Sequence, residues 1–366
     1  MADLETPVLG TALVIGGCGL LGHHIVKILI ESKVTSKIVV LDVNTAVNLV
    51  DGVEYINGSI TSSDQVTQVL KQHTPRVVFH TVSPNPLSEN RKRFYEVNVG
   101  GTQNLLECIK NTTSVKALVY TSSSSVVHNS YTDLIKATED MPLFFEPAQK
   151  VYYSHTKAVA EQMVINSNRQ NGLLTTVIRP ASLFGEGDHL LTGNMVGLGR
   201  KNVIIGSGTN QFDFTYVGNN AYAQMLAAAA LVRASTSKEP IPDDERVDGE
   251  AFVVTNDEPW PFWEFARALA VAAGYTVDRT KAKMLPKGVL LFFVGLLEWF
   301  YKILTLGTRQ PAVKTRMILP TTLERTFNIG KAKKRLGYKP QVSIEEGISR
   351  TITWYMSQQG VQKKTA

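Results

Sequence analysis

Tyr153 and Lys157 stand four residues apart in Tyr153-Ser154-His155-Thr156-Lys157, a spacing that on a helix places phenol and ammonium on one face, one turn apart. An ammonium beside a phenol stabilises phenolate and draws its pKa down from about 10, which makes the tyrosine a candidate general base toward an alcohol. Many exposed helix faces carry such a pair, so its meaning depends on what else the fold brings near. Tyr120-Thr121 runs into four consecutive serines, 122 to 125, at the carboxyl end of a β-rich run, where open α/β sheets hold their ligands. One of these hydroxyls would orient a substrate oxygen; the competing reading is a serine-rich turn whose hydroxyls bond local backbone. There is no Gly-x-Ser-x-Gly elbow, which argues against a nucleophilic serine.

A second pattern concerns phosphate. Gly16-Gly17-Cys18-Gly19-Leu20-Leu21-Gly22 follows an apolar run, Leu13-Val14-Ile15, and leads into a helical stretch from His23. Gly16 suits the tight turn, Gly19 the close approach of backbone to a pyrophosphate, and Gly22 the packing of helix on strand, while the helix start offers free N–H groups to the anion. Asp42 follows about twenty residues later at the end of the next β-rich run, placed to accept from adenosine ribose hydroxyls and to repel a 2′-phosphate. NAD is therefore expected rather than NADP. Cys18, His23 and His24 read as packing residues.

These groups need a frame. Short β-rich runs at 38–41, 53–56, 76–80, 117–121 and 176–178 alternate with helical stretches such as 98–109 and 154–165, the rhythm of a doubly wound parallel sheet, α/β in class. The expected organisation is a Rossmann domain over 1–184 and a smaller, interleaved C-terminal substrate lobe over 185–366, containing an Ala-rich helix near 221–233. The 366 residues, 43% hydrophobic and 19% charged, suit a folded globular chain and not a disordered or fibrous one. A net charge of +6, from 38 basic and 32 acidic residues, needs no nucleic acid to explain it. Two cysteines exclude a disulfide scaffold, and the seven histidines show no metalloprotease-type ligand pair, so no metal is expected. The start, Met-Ala-Asp-Leu-Glu, lacks a secretory signal pattern, so the cytosolic side is expected.

The glycine loop, Asp42, the serine run and Tyr153-x-x-x-Lys157 together resemble an extended short-chain dehydrogenase/reductase. Asn98-Val99-Gly100-Gly101-Thr102, Ile178-Arg179-Pro180 with Gly185-Glu186-Gly187-Asp188, and Asp213-Phe214-Thr215-Tyr216-Val217 narrow the likeness to its 3β-hydroxysteroid dehydrogenase branch, within it to the decarboxylating sterol-4α-carboxylate dehydrogenases. The likeness runs from about Thr11 to Tyr355. It implies Ser123, Tyr153 and Lys157 as the catalytic set, with Ser122 and Ser124 as substitutes for Ser123 and Asn98 in support. It further implies a cofactor held by Gly16, Gly19, Leu20, Leu21 and Gly22, by Asp42, Ser59, Ile60 and Thr81, and by Pro180 with Tyr153 and Lys157 beside the nicotinamide. The implied reaction oxidises a 3β-hydroxyl to a ketone with NAD, with loss of a neighbouring C4 carboxylate where one is present. Ser59 and Val82 depart from the residues usual in such relatives, aspartate and alanine, and point to a specialised paralogue acting on a sterol or a related terpenoid of secondary metabolism.

The uncharged run from Gly288 to Leu297 is too short to span a bilayer, which needs about twenty residues. As a helix over 288–304 it has an unusually wide apolar face, fit for a membrane interface or a sterol entrance, or else for burial in the lobe or in a homodimer. The terminal Lys363-Lys364-Thr365-Ala366 resembles a dilysine retrieval signal. Together these point to the cytosolic face of the endoplasmic reticulum membrane, and otherwise to the cytoplasm. Two rivals remain: a nucleotide-sugar epimerase or reductase using the same Tyr153 and Lys157, with Arg200, Lys201 and Arg325 as its diphosphate contacts, and a non-enzymatic NAD-binding sensor.

Overall fold

The computed structural model describes residues 9–364 apart from 307, 310 and 312, with side chains through residue 358. The acidic start at residues 1–5 and the side chains of the basic tail lie outside the described residues. Seven parallel strands form the main sheet: β1 (Gly10–Ile15), β2 (Thr35–Asp42), β3 (Glu54–Asn57), β4 (Val77–His80), β5 (Ala117–Thr121), β6 (Leu174–Pro180) and β7 (Glu250–Val254). Their spatial order is 7-6-5-4-1-2-3, which reverses direction between β1 and β4. Strands β4 and β5 are buried from end to end, as expected of parallel strands covered on both faces.

The period of two along each strand sorts the core into two layers. Val14, Val40, Phe79 and Val119 join one apolar cluster, shared with α1 (Leu20–Ser32) and α6 (Val217–Thr236). Their neighbours Leu13, Val39, Val78 and Leu118 join the other, beneath α2 (Ser63–His73), α3 (Gly101–Lys110) and α4 (Tyr152–Asn166). The buried alanines of α6, among them Ala221, Ala227 and Ala228, let that helix lie close to α1 and the sheet. The expected strands appear with small shifts of boundary, but β7 was not foreseen: Ala251 to Val254 is a short apolar run after a long polar loop, and only its pairing with β6 makes it a strand.

The second lobe contains α5 (Thr192–Lys201) packed on α7 (Phe262–Ala272), an aromatic core in which Phe214 stacks on Phe265 at 3.7 Å, and a four-stranded sheet. That sheet runs Trp260–Pro261, Gln211–Phe212, Arg325–Phe327, Leu134–Ala137, so its last strand comes from the segment between the serine run and Tyr153. The apolar helix forms as α8 (Lys287–Leu304). Among the described residues no helix is long and apolar enough to cross a membrane. The α5–α7 contact depends on Gly199, where a Cβ would lie 2.1 Å from the Ala266 carbonyl oxygen. Gly199→Ala is expected to force these helices apart at a cost of about 1–3 kcal/mol, measured as a lowered denaturant midpoint without change in the slope.

Candidate active site

A cleft of about 370 Å³ opens at the carboxyl ends of β1 and β4, where the strand order reverses and such sheets place ligands. Gly16 follows β1 directly with φ +86°, and a Cβ there would meet the Thr81 hydroxyl oxygen at 2.8 Å, so strand and loop approach more closely than any side chain permits. A Cβ on Gly22 would lie 2.1 Å from the Gly16 carbonyl oxygen. The first backbone bond of α1 is donated by His23 to the Gly19 carbonyl, leaving the N–H groups of Leu20, Leu21 and Gly22 at the open helix end. Thr81 donates its hydroxyl to the Ile15 carbonyl at 2.9 Å and ties β4 to the loop. At the other end of the cleft Asp42 accepts from the backbone N–H of Cys18 at 3.0 Å and of Asn44 at 3.1 Å, which fixes its carboxylate.

Gly16, Gly19, Asp42, Ser59, Ile60 and Thr81 all line this cleft. Leu20 and Leu21 do not: Leu21 is buried in the core and Leu20 packs against it, so only their backbone faces the opening. Pro180 is buried at the end of β6, away from this lining. The glycine cradle, the open helix end and the anchored carboxylate fit a dinucleotide. Arg93, a cation in the cleft wall, had no sequence signal beyond its place in the basic run Arg91-Lys92-Arg93. Cys18 packs as expected, its thiol pushed up to about 11 by burial, while its backbone does the anchoring of Asp42. His23 and His24 bond the carbonyls of Asn48 and Glu186, pinning loops to α1.

Tyr153 and Lys157 form a second cluster beyond the helical segment 91–100. Phe94 meets the Tyr153 ring edge-on at 5.8 Å. The π-helical turn Tyr95–Gly100 places Asn98 so that its amide donates to the Thr156 hydroxyl at 3.0 Å, and that hydroxyl donates to the Tyr153 carbonyl. Insertions of this kind into helices often mark functional sites. Lys157 is fully buried, donates to the Thr121 carbonyl at 2.5 Å and sits 4.5 Å from the centre of the Tyr120 ring. Gln224, reaching over from α6, donates to the Thr121 hydroxyl at 2.8 Å.

The expected lowering of the phenol does not appear. Burial pushes Tyr153 up to about 12, and the group that pulls it down is the Ser123 hydroxyl. Burial also pushes Lys157 down to about 7, against the attraction of Glu161. The ammonium is engaged with Thr121 and Tyr120, so its stabilisation of phenolate is not expressed in this arrangement.

The four serines separate by direction. Ser122 is buried and donates to Glu161 at 2.5 Å. Glu161 in turn takes a two-point contact from the buried Arg179 at the end of β6, with Nη2 at 2.5 Å and Nε at 3.0 Å. Ser124 is buried, and Ser125 accepts from Ser154 at 2.8 Å. Ser123 is partly exposed, holds the Ser125 hydroxyl at 2.8 Å and faces the Tyr153 phenol. Glu161 was overlooked in the sequence although it repeats the spacing of 153 and 157 once more. Among the described residues no group of side chains could hold a metal ion. Of the three cations the sugar reading invoked, Arg325 is half-buried over the Phe212 ring and Arg200 lies 5.6 Å from the Tyr275 ring.

Fold and site together define an oxidoreductase of the extended dinucleotide-binding class. The model of the 3-beta hydroxysteroid dehydrogenase/isomerase family matches residues 13–286, and the chain belongs to that family. It is 34% identical to 3beta-hydroxysteroid-dehydrogenase/decarboxylase isoform 2 of Arabidopsis thaliana over 96% of this chain, though it spans only 63% of that protein's length. It is 35% identical to the decarboxylating sterol-4-alpha-carboxylate 3-dehydrogenase of Candida albicans, covering 94% of this chain and 97% of the relative. Among solved structures, a dTDP-glucose 4,6-dehydratase of Streptomyces venezuelae with NAD bound superposes with a TM-score of 0.71 at 21% identity, covering 96% of this chain and 98% of that one. A UDP-glucose 4-epimerase of Thermus thermophilus with NAD gives 0.66 at 20% identity, over 94% and 99% of the two chains. At that identity the structures share the fold alone.

The two accessible roles of the serine run are separable by mutation. Ser123→Ala is expected to cut turnover by about 10²-fold with an unchanged melting temperature. Ser122→Ala is expected to keep turnover but lose about 1–3 kcal/mol, because the buried Glu161 carboxylate loses a donor. Steady-state kinetics and denaturant unfolding of both variants check this.

Proposed function

We propose that the chain oxidises the 3β-hydroxyl of a sterol or related terpenoid and, where a carboxylate occupies C4, releases it as carbon dioxide. The observation that carries this reading is the convergence of Ser123, Tyr153 and Lys157 beside a dinucleotide cleft, in a chain that its family relatives match along nearly its whole length. The Ser123 hydroxyl holds the substrate oxygen and Tyr153 takes its proton. A bound nicotinamide supplies the hydride acceptor for C3. Lys157, in its protonated form, turns from the Thr121 carbonyl toward the phenolate and stabilises it by charge. With a ketone at C3, the bond from C4 to the carboxylate breaks, carbon dioxide leaves, the electron pair enters the carbonyl as an enolate, and a proton taken up at C4 restores the ketone. Asp42, fixed by two backbone N–H groups, favours NAD.

The reading also takes in attachment to the cytosolic face of the endoplasmic reticulum membrane. What supports it is α8, whose only buried residue is Val294, while Phe292 is 65% and Phe293 60% exposed. Burial of this helix within its own lobe, one of the sequence expectations, is overturned by that exposure.

The first assay is NADH formation with a matched pair of 3β-hydroxysterols, one carrying a 4α-carboxylate, with UDP-glucose and UDP-galactose as controls. Release of carbon dioxide from the carboxylated sterol alone is expected; reaction of a sugar nucleotide instead overturns the reading. Tyr153→Phe is expected to lose about 10²–10⁴-fold in turnover while still binding NAD, and unchanged cellular function of that variant favours the sensor. Asp42→Ala is expected to weaken NAD and admit NADP, read as a reversal or narrowing of their kcat/KM ratio.

Lys157→Met is expected to be inactive yet no less stable than the parent at neutral pH. The native lysine titrates near 7 and the unfolded one near 10.5, so between these values the unfolded chain binds the extra proton and stability of the parent rises with pH. The stability gain in the variant therefore shrinks as pH rises from 7 toward 10, measured by thermal unfolding across that range.

A further inference from the structure

Helix α8 is inverted relative to an ordinary surface helix. Its inward stripe, Lys287, Leu291, Val294 and Glu298, includes its only carboxylate, and Glu298 accepts from the Thr315 backbone and hydroxyl at 2.8 and 3.1 Å. Its outward face is Val289, Phe292, Phe293, Leu296, Trp299 and Phe300, each 39–65% exposed. Met284 and Leu285 on one side, and Met317 on the other, extend the exposed apolar surface.

The charges around this face are one-sided. Residues 279–316 contain eight lysines and arginines against the single carboxylate of Glu298, a local surplus larger than the +6 of the whole chain. Four of the eight are matched: Arg279 by Glu264, Lys281 by Asp278, and Lys314 and Arg316 by Glu89. Lys283, Lys302 and Arg309 are exposed and stand outside these pairs among the described residues, one before the start of α8 and two at or beyond its last turn, while Lys287 lies on the inward stripe. A helix lying flat with its aromatic face in the acyl boundary would hold cations from both ends at headgroup level.

We propose that α8 and this cationic collar recognise an anionic lipid surface, the apolar face supplying insertion and the collar supplying selection for negative headgroups. The inference rests on the membrane reading above and adds the chemistry of the partner. A second copy of the chain offers the collar no complementary charge on this face, since like collars would meet. Each collar cation near an anionic surface is expected to strengthen binding about fivefold at physiological salt.

The test is flotation of the full-length protein with phosphatidylcholine vesicles and with vesicles also containing phosphatidylserine. The parent should prefer the anionic vesicles by at least tenfold, and the preference should fall on raising salt to about 1 M, where screening shortens to about 3 Å. Lys283→Gln with Lys302→Gln should abolish most of that preference and leave binding to neutral vesicles unchanged; both side chains are exposed and outside the site. Equal, salt-insensitive binding to both vesicles overturns the collar while leaving membrane docking standing. Failure to bind either, with concentration-dependent dimerisation that Phe292→Asp abolishes, overturns both and makes this face an interface between copies.

Discussion

The arrangement of the site depends on the buried carboxylate of Glu161. It joins α4, which carries Tyr153 and Lys157, to Arg179 at the end of β6 and to Ser122 at the end of β5. Removing one partner of a buried pair of this kind costs about 3–5 kcal/mol, because the other charge is left without an answer in a dry environment. The pair therefore fixes α4, with its Tyr153 and Lys157, against the end of β6. Arg179 reaches on to the Glu139 carbonyl, and the Glu139 carboxylate accepts from Val253 in β7, so the constraint extends to the sheet edge.

The other polar groups around Lys157 are arranged with less completeness. His80, held neutral by burial to about 3, bonds Thr102, while Tyr120 and Asn98 each keep a buried polar atom with no protein partner. A lysine pushed down to about 7 in this surrounding shifts its proton readily. The rigid pair at Glu161 and the soft charge at Lys157 lie on one helix face a single turn apart, one holding position and the other free to change state.

Much of this was legible in the sequence, for reasons that differ by residue. Gly16, Gly22 and Asp42 carry a local pattern whose steric demand is absolute, and the contacts at Gly22 show that demand met. Tyr153 and Lys157 follow from helix period. Glu161 follows from the same period, and was missed because a carboxylate one turn beyond a lysine also describes an exposed ion pair. Gln224 and β7 had no local signal: the first bonds a threonine on β5 across the sheet, and the second is a strand only because β6 pairs with it. The phenol's raised pKa was not legible either, since it comes from burial of the ring, which tertiary packing decides. The orientation of α8 was beyond the pattern for a related reason: periodicity identifies the polar stripe without saying which way it faces.

The four-residue strand Leu134–Ala137 gives the molecule a further property. It leaves the serine run, crosses to complete the sheet of the second lobe, and returns to begin α4 at Tyr152. The two lobes are thus sewn together between the two residues that would handle the substrate's proton. A chimaera that took residues 185–366 from a relative would receive three strands of that sheet and leave the fourth behind. Recombination within this family is consequently constrained at a point no linear domain boundary reveals, and specificity in the second lobe has to diverge in step with a short stretch of the first half.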